Sequence, residues 1–422
     1  MFTINQLNSG QLDVAIKNTY NCEDSEIAGY IERINYALSK YNETFAPVEE
    51  FRLFSSPGRT EIGGNHTDHQ HGRVLCGSVN LDIIAIVVPN GSNLMQIKSE
   101  GHKIDSVDID DLSVNPDDFG KSFTLLKGVG NKFKEMGYTL GGFDAYTISQ
   151  VPGGSGLSSS AAYEVLIGNI LNSLFANGEV NSVEIAKIGQ FAENVYFGKP
   201  CGLMDQMACS VGGIISVDFE DNSNPIITQM EGMGDGYKLC IIDSCVDHAD
   251  LTDEYSDITV EMRKVANFFG KDYLREVDKK DFFDNLKAVR EVAGDRAVLR
   301  AIHFFGDNDR VVEQVKALQD KDYDKFRKLI VESGHSSFMY LQNVYVTTKP
   351  SEQAVAVILA LCEELLRNDG AYRVHGGGFA GTIQAFVPNA QVPSFKASMD
   401  ALLGEGKCHV LNIRAVGGTE IV

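Results

Sequence analysis

A glycine- and serine-rich segment between a strand and a helix constrains this chain most. Residues 152–161 read Pro-Gly-Gly-Ser-Gly-Leu-Ser-Ser-Ser-Ala, after a β-rich run at 142–152 and before an apolar helical pattern through Ala162, Leu166 and Ile170. Glycines permit positive φ, so successive N–H groups can face an anion while the helix N-terminus adds its positive dipole end. The layout predicts a phosphate-binding loop.

If this segment were the only signal, an ordinary strand-to-helix turn capped by serine would suffice to explain its sequence. The chain has no Walker A loop, because Asn115 stands where the first glycine should precede Gly120-Lys121-Ser122. A dinucleotide fingerprint is also excluded, since no third glycine follows Gly154-Ser155-Gly156 at the required spacing. Phosphate binding here would therefore use a different design.

The charge balance bears on the partners. With 37 Lys and Arg against 58 Asp and Glu, the formal net charge is -21, opposite to the basic footprint of nucleic-acid binders. We therefore expect no nucleic-acid or membrane partner. A polyanion such as ATP would need local positive groups, backbone N–H donors and a metal ion.

The length predicts two domains. The chain has 422 residues and is 43% hydrophobic, whereas single cores stop growing at roughly 250–300 residues. Turn-rich stretches near residues 218–235 place the division between residues 1–225 and 226–422. The first fifty residues read as helices, and a sheet domain begins at Phe51, where a strand is expected to run into a turn at Pro57-Gly58.

The eight cysteines are scattered, without a C-x-x-C pair or regular spacing. They are typical of reduced thiols, and the N-terminal segment lacks the features of an export signal. We expect a cytoplasmic protein that is a monomer or a weak oligomer.

A second glycine-containing segment spans residues 56–69, Ser-Pro-Gly-Arg-Thr-Glu-Ile-Gly-Gly-Asn-His-Thr-Asp-His. Clustered polar side chains on such a segment suit a polyhydroxyl ligand, and Arg59 could neutralise developing charge. His66, His69 and His71 could instead suggest a metal site. Without paired helical spacing or nearby thiols, hydrogen-bonded histidines are the simpler interpretation.

A third glycine-rich segment, residues 374–381, lies between a predicted helix and a strand. Alone it is weak evidence, because a glycine-rich turn needs no ligand.

Taken together, the segments resemble the galactokinase branch of the superfamily of galactokinase, homoserine kinase, mevalonate kinase and phosphomevalonate kinase. The family motifs are P-G-R-x-N-x-I-G-E-H-T-D-Y, P-x-G-x-G-L-S-S-S-A, C-G-x-M-D-Q and G-G-G-F-G-G. This chain has PGRTEIGGNHTDH, PGGSGLSSSA, CGLMDQ and GGGFAG in the same order. The resemblance implies an α+β, two-domain small-molecule kinase fold with its active site in the interdomain cleft, using ATP and Mg²⁺.

The resemblance also implies roles for single residues. Asp205 would be the catalytic carboxylate and Arg59 its neighbour, while Ser160 and Glu193 would bind magnesium, a hard cation that prefers oxygen ligands. A solvated helix carboxylate is the alternative for Glu193. Nucleotide contacts would come from Ser99, Gly154, Ser155, Gly156, Leu157, Ser158, Ser159 and Ser160. Sugar contacts would come from Asn65, His66, Thr67, Asp68, Gly202 and Tyr255.

Departures from the motifs concentrate in the sugar pocket. Asn65 stands where the family has glutamate, His69 replaces tyrosine, and Thr60-Glu61 replaces a pair that ends in asparagine. The expected reaction is conversion of galactose to galactose 1-phosphate. The alternatives are a kinase of the same superfamily acting on another sugar, and a non-catalytic galactose and ATP sensor.

Overall fold

A computed structural model describes residues 2–153, 156–246 and 251–421. Within these ranges the strands form a nine-stranded and a four-stranded sheet. The strands are β1 (Phe2–Thr3), β2 (Glu50–Gly63), β3 (Arg73–Pro89), β4 (Leu94–Ser99), β5 (Ile104–Asp108), β6 (Phe143–Ser149), β7 (Ile214–Asp218), β8 (Ile226–Met230), β9 (Tyr237–Asp243), β10 (Ala371–His375), β11 (Thr382–Pro388), β12 (Cys408–Leu411) and β13 (Thr419–Glu420). Mixed helix and sheet agree with the expected α+β class.

Helices account for most of the remaining described chain. The α-helices are α1 (Ile4–Asn8), α2 (Asp13–Tyr20), α3 (Ile27–Thr44), α4 (Phe123–Glu135), α5 (Ser159–Phe175), α6 (Ser182–Phe191), α7 (Met204–Val211), α8 (Thr252–Phe268), α9 (Lys279–Asp284), α10 (Leu286–Ala293), α11 (Asp295–Gln319), α12 (Tyr323–Ser336), α13 (Ala354–Leu366) and α14 (Val392–Leu403). Wider π-type turns extend α6 over Ala192–Phe197 and α12 over Ser337–Leu341. Short 3₁₀ turns span Asp24–Glu26, Asp68–Gln70, Pro116–Asp118, Leu274–Glu276 and Asn389–Gln391.

The larger sheet has the order β1-β2-β3-β6-β4-β5, with β13 beside β2 and with β7 joining β3 to β8. The predicted division at residues 225 and 226 falls at the start of β8, which still pairs with β7 in this sheet. The change of sheet comes later, between β8 and β9. The chain then returns to the larger sheet at its end, because β13 pairs with β2.

The N-terminal helices cover one face of the larger sheet. Side chains of β3 alternate between two cores: Ile84 and Ile86 pack with the N-terminal helices, whereas Ile83 and Ala85 face the core under α5. A strand buried on both faces reads as a continuous apolar run, as the sequence of β3 does. The first fifty residues are thus part of the fold, holding one face of the sheet.

The smaller sheet has the order β10-β11-β9-β12 and is antiparallel throughout. In β9, Leu239 and Ile241 join the main core, while Cys240 and Ile242 pack with the apolar face of α13. Both sheets therefore contribute to one main core. The two glycine-rich segments that follow β2 and β10 are brought together where the sheets meet.

Two local predictions were wrong. Pro57-Gly58, expected to form a turn, lies within β2, which continues to Gly63 and passes these residues with a register shift against β3. A Cβ on Gly58 would lie 2.9 Å from the Leu157 carbonyl oxygen, so glycine serves close packing here. Strand β10 was not predicted, because it is short and adjoins the third glycine segment.

Local features set the start and the end of the α6 stretch. The Asn181 side chain accepts a hydrogen bond from the Glu184 N–H at 3.0 Å, so it caps α6. The helical stretch ends at Gly198, which has a φ of +80°. Among the described helices, none combines the length and the apolar character needed to cross a membrane.

Candidate active site

The glycine- and serine-rich loop connects β6 to α5. Ser158 precedes α5 in a left-handed conformation (φ 59°, ψ 67°), and its side chain makes no capping hydrogen bond. Instead its hydroxyl donates to Asp205 Oδ2 at 2.6 Å. The serine-cap alternative therefore does not account for Ser158, whose hydroxyl points to the predicted catalytic carboxylate. Gly154 and Ser155 lie outside the described residues.

Arg59 and Asp205 form a two-pronged ion pair. Arg59 Nε donates to Asp205 Oδ1 at 2.7 Å, and Nη2 donates to Oδ2 at 2.9 Å. Nη1 donates to the carbonyl oxygen of Gly156, and the Arg59 N–H donates to the carbonyl oxygen of Leu157 at 3.0 Å. One arginine thus joins β2, the phosphate loop and α7. The side chain of Asp205 remains 31% exposed, so it can still meet a ligand.

The ionisation of Asp205 follows from these contacts. Burial alone would raise its pKa, but the Arg59 charge and hydrogen bonds from Arg59 and Ser158 outweigh burial and hold the pKa below its usual value. Asp205 is therefore ionised at neutral pH. It can accept a hydrogen bond from a hydroxyl, and it is a weak base.

The predicted metal ligands are brought together. Ser160, in the first turn of α5, has its Oγ 3.1 Å from Glu193 Oε1, and the Lys199 Nζ lies 3.2 Å from the same oxygen. The Glu193 side chain is 3% exposed, so it is not a solvated helix carboxylate. A hydroxyl and a buried carboxylate that meet at one point fit a hard cation that also takes phosphate oxygens.

Behind this pair lies a second buried carboxyl group that the sequence analysis did not single out. Gln206 Nε2 donates to Glu193 Oε2 and to Glu164 Oε2, each at 2.9 Å. Glu164 is fully buried; burial and the nearby Glu193 charge raise its pKa well above the usual value. Gln206 follows Asp205 in the CGLMDQ motif, so the motif is the sequence signal that could have indicated Gln206. No motif indicates Glu164.

The predicted sugar-contact residues are all buried or half-buried. Asp68 is 9% exposed and faces Gly202, where an added Cβ would lie 1.8 Å from Asp68 Oδ2. His69 Nε2 stands 4.0 Å from Asp68 Oδ1. Asp68 and Gly202 therefore meet, and Gly202 lies three residues before Asp205. Their contact with a sugar stays a prediction.

His66 and Thr67 have different surroundings. His66 adopts a φ of +59°, and its Nε2 lies 3.0 Å from the Gly377 carbonyl oxygen, to which it donates. Burial lowers the pKa of His66 to about 3, with the nearby His69 acting in the same direction, so His66 is neutral at physiological pH. Thr67 is fully buried, and its hydroxyl donates to the carbonyl oxygens of Gly64 at 2.8 Å and Arg73 at 2.5 Å. Thr67 holds the loop turn.

Asn65 is also fully buried, and protein groups occupy its whole amide. Its Nδ2 donates to Glu61 Oε1 at 2.9 Å and to the Gly376 carbonyl oxygen at 2.7 Å. Its Oδ1 accepts from Ser337 Oγ at 3.1 Å and from Asn343 Nδ2 at 2.9 Å. A direct sugar contact by Asn65 stays a prediction, and it would require one of these partners to be exchanged for a hydroxyl.

The third glycine segment packs against the loop between β2 and β3, residues 64–72, which contains four of the predicted sugar contacts and is called the sugar-contact loop below. Carbonyl groups of Gly376, Gly377 and Gly378 accept hydrogen bonds from Asn65, His66 and Tyr255, the last at 2.8 Å from Tyr Oη. A Cβ on Gly377 would lie 2.4 Å from Tyr255 Cε1. This segment, weak as a sequence signal, supplies backbone acceptors to the pocket wall.

Two further predictions concern nucleotide and metal contacts. Ser99 ends β4 and its Oγ accepts a hydrogen bond from Thr147 Oγ1 at 3.0 Å; contact with a nucleotide stays a prediction. In the described part of the chain no cluster of three or more histidine, cysteine, aspartate or glutamate side chains could hold a metal ion.

Comparison with known proteins agrees with this geometry. Residues 124–213 match the family model "GHMP kinases N terminal domain", and residues 39–89 match "Galactokinase galactose-binding signature". A crystal structure of Lactococcus lactis galactokinase complexed with galactose superposes with a TM-score of 0.78 at 24% identity, covering 92% of this chain and 99% of that one. The fold and the site define a kinase of the GHMP class.

Curated relatives narrow this class. The chain is 30% identical to the galactokinase of Glaesserella parasuis, covering 86% of this chain and 92% of the relative. It is 33% identical to the galactokinase of Streptomyces coelicolor, covering 84% and 89%. The chain belongs to the galactokinase family.

Proposed function

We propose that this protein transfers the γ-phosphoryl group of ATP to galactose, giving galactose 1-phosphate and ADP. The observation that carries the proposal is the position of Asp205, whose carboxylate is held by Arg59 from β2 and by Ser158 from the phosphate loop. The site thus has an ionised carboxylate where an acceptor hydroxyl and a phosphate would meet. Asp68 and Gly202, two of the predicted sugar contacts, meet each other, and Gly202 lies three residues before Asp205.

Asp205 acts mainly by orienting the sugar hydroxyl. A carboxylate with a depressed pKa is a poor proton acceptor at neutral pH, but it accepts a strong hydrogen bond and can take the proton as the new P–O bond forms. Phosphoryl transfer depends chiefly on positioning and electrostatic stabilisation. Arg59 holds the carboxylate in place with two hydrogen bonds and adds positive charge near the phosphate loop.

Ser160 and Glu193 would hold Mg²⁺. When bound, Mg²⁺ would neutralise charge on the phosphate oxygens of ATP. Gln206 fixes Glu193 from behind by donating to its other oxygen. Lys199 pairs with Glu193 Oε1 at 3.2 Å, and its 63% exposed side chain would place a positive charge near an incoming phosphate.

A second candidate is phosphorylation of another sugar by the same apparatus. It is favoured by one observation, the saturation of the Asn65 amide by protein groups, which removes a side chain expected to contact galactose. A sensor without catalysis is not favoured, because a binding protein needs no complete transfer apparatus. The chain has both parts of this apparatus: Arg59 contacts Asp205, and Ser160 contacts Glu193.

The compartment and partners follow from simpler observations. All eight cysteines are unpaired, which suits a reducing environment. We therefore place the reaction in the cytoplasm, with a sugar and ATP as partners and a monomer or weak oligomer as the working form.

The test is ADP release with a panel of sugars: galactose, glucose, N-acetylgalactosamine, arabinose and galacturonic acid. We expect turnover with galactose, marked rejection of glucose, and an anomeric phosphate in the product by ³¹P NMR. Turnover confined to a different sugar would replace galactose as the substrate. Absence of ADP release with every sugar, despite galactose and ATP binding, would favour the sensor.

A further inference from the structure

Glu61, at the end of β2, is a charged residue that the proposed mechanism does not use. It is 2% exposed, and its Oε1 accepts from Arg373 Nη2 at 2.6 Å and from Asn65 Nδ2 at 2.9 Å. Arg373 is fully buried, comes from β10 of the smaller sheet, and also donates to the Ile62 carbonyl oxygen at 3.0 Å. The pair therefore ties the strand before the sugar-contact loop to the other sheet.

The carboxylate of Glu61 determines which way the Asn65 amide points. At pH 8 the carboxyl group of Glu61, which pairs with Arg373, is ionised and only accepts hydrogen bonds, so the group that faces it must be the Asn65 NH₂. The amide oxygen is then directed to Ser337 and Asn343, both of which donate to it. Exchanging the amide oxygen and nitrogen would break these contacts and the one with the Gly376 carbonyl oxygen.

Asn65 in turn holds the start of the sugar-contact loop. Its N–H donates to Asp307 Oδ2 at 2.8 Å, and its carbonyl oxygen accepts from His303 Nε2 at 3.0 Å. The next residue, His66, has the strained φ of +59°, and Asp68 follows two residues later. Strained backbone persists where surrounding contacts hold it; here these include the contacts of Asn65 and the hydrogen bond from His66 to the Gly377 carbonyl oxygen.

The charges at positions 61 and 65 are linked. A carboxylate at position 65 would face Glu61 at hydrogen-bond distance in a site without solvent, and two adjacent buried carboxylates strongly disfavour joint ionisation. The order here, acid at 61 and amide at 65, reverses the asparagine and glutamate of the motif that this chain resembles. Exchanging the two residues would keep one acid, one amide and the total side-chain length.

We propose that Glu61 and Asn65 act as a coupled positioning pair, anchored by Arg373, that holds His66 and Asp68 for sugar binding without either member of the pair touching the sugar. This inference rests on the proposed function and adds a specificity element to it. It predicts that sugar affinity depends on where the single carboxylate stands, although that carboxylate is buried.

The test is a double-mutant cycle in the full chain at pH 8, using Glu61→Asn, Asn65→Glu and the double exchange. Galactose binding without ATP is measured by calorimetry, ATP affinity by its KM, and folding by thermal unfolding. Each single variant should weaken galactose binding at least about tenfold, and the exchange should return it to within about threefold of wild type. The KM for ATP should stay within about twofold throughout.

Glu61→Gln is a second test if one of the single variants does not fold, because this isosteric change removes only the charge. Glu61→Gln should weaken galactose binding and leave the KM for ATP unchanged. Glu420→Gln is the matched control, since Glu420 pairs with Arg52 at 2.7 Å at the opposite end of β2. It should lower the unfolding temperature and leave galactose affinity unchanged.

Additive losses in the double exchange, or single variants that bind galactose as wild type does, would overturn the coupled pair. Equal losses of galactose and ATP affinity in Glu61→Gln would overturn it too, since they would mark a general structural role. If the wild-type enzyme turns over another sugar of the panel and not galactose, the proposed substrate fails, and the cycle is measured with that sugar.

Discussion

Ser158 donates a hydrogen bond of 2.6 Å to the carboxylate of Asp205, 47 residues further along the chain. This bond joins the loop predicted to bind phosphate to the residue predicted to orient the sugar hydroxyl. Arg59 donates to the same carboxylate at 2.7 and 2.9 Å. A substitution at Asp205 therefore removes hydrogen-bond acceptors from both Ser158 and Arg59.

Replacing Asp205 with asparagine should lower kcat by at least about a hundredfold, the usual scale for a positioned acid–base group. The amide keeps the shape but lacks the charge that Arg59 neutralises, and it cannot accept from all three donors. Circular dichroism and ATP binding should be nearly unchanged. Near-normal turnover would show that Asp205 does not orient the hydroxyl.

Replacing Glu193 with glutamine, or Ser160 with alanine, should raise the magnesium concentration needed for half-maximal rate more than it raises the KM for galactose. These residues meet each other at 3.1 Å, and in the proposed site they contact the ion and not the sugar hydroxyls. Direct binding of Mn²⁺ in the presence of ATP, followed by electron paramagnetic resonance, should weaken in parallel. Glu184→Gln, which breaks only a surface pair with Lys187 on α6, is the control; a metal titration like that of the control would move the site elsewhere.

The N-terminal helices should depend on one buried carboxylate. Asp82 is fully buried, receives Tyr20 Oη at 2.6 Å and Arg414 Nη1 at 3.2 Å, and also pairs with Arg33. Asp82→Asn leaves the buried Arg414 and the partly buried Arg33 short of a counter-ion, so the free energy of unfolding should fall by about 3–5 kcal/mol. Urea unfolding measures this loss. Asp118→Asn, in a surface pair with Lys121, should change stability little.

Burial alone would raise the pKa of Asp82, but Arg33 and Arg414 outweigh burial and lower it. A lowered folded-state pKa adds stability above the pKa of the unfolded chain, and this stability is lost as the pH falls through the folded-state value. The difference between wild type and Asp82→Asn should therefore shrink toward acid pH. A constant difference down to pH 2 would contradict the ionised state of Asp82.

Local features of this protein could be predicted from the sequence, whereas contacts between distant segments could not. The loop before α5 and the cap at Asn181 depend on neighbours within a few residues. The burial of Asn65 depends on Glu61, Ser337, Asn343 and Gly376, and three of these are more than 250 residues away. The position of Asn65 in the motif predicts a sugar contact. No local signal in the sequence shows that four protein groups use the Asn65 amide.

The same distinction explains the N-terminal fifty residues and Pro57-Gly58. Helical periodicity predicted α3, and the continuous apolar run of β3 indicates burial on both faces. Only the folded structure shows that the N-terminal helices are the layer that covers Ile84 and Ile86. A Pro-Gly pair predicts a turn by local preference, yet pairing of β2 with β3 on both sides of it keeps the strand extended. Long-range pairing outweighs the local preference there.

Glu61 should give the stability a distinct pH dependence. Burial raises its pKa from 4.5 to about 7, against the lowering effect of Arg373 and Arg59 and together with the charges of Asp68 and Asp307. Between these values the folded chain binds more protons than the unfolded one, so this contribution to stability declines as the pH rises from about 4.5 to about 7. In Glu61→Gln the decline should be absent. Chemical unfolding at pH 5, 6, 7 and 8 tests this, and parallel curves for the two proteins would contradict it.

The last prediction concerns Gly202, because its replacement tests the sugar pocket without altering any charge. A Cβ there would lie 1.8 Å from Asp68 Oδ2 and 2.7 Å from Asp68 Cγ, so in Gly202→Ala the Asp68 carboxylate must move. We expect the KM for galactose to rise at least about tenfold, since a site built to bond particular hydroxyls loses affinity steeply when a polar partner is displaced. The KM for ATP should change little, because the atoms that the added methyl group would meet belong to Asp68 and not to the predicted phosphate loop. Gly29→Ala is the matched control, as nothing lies within 4 Å of its added methyl group on α3; it should stabilise the helix slightly and leave both KM values unchanged. If Gly202→Ala binds galactose as tightly as wild type, Asp68 does not hold the sugar.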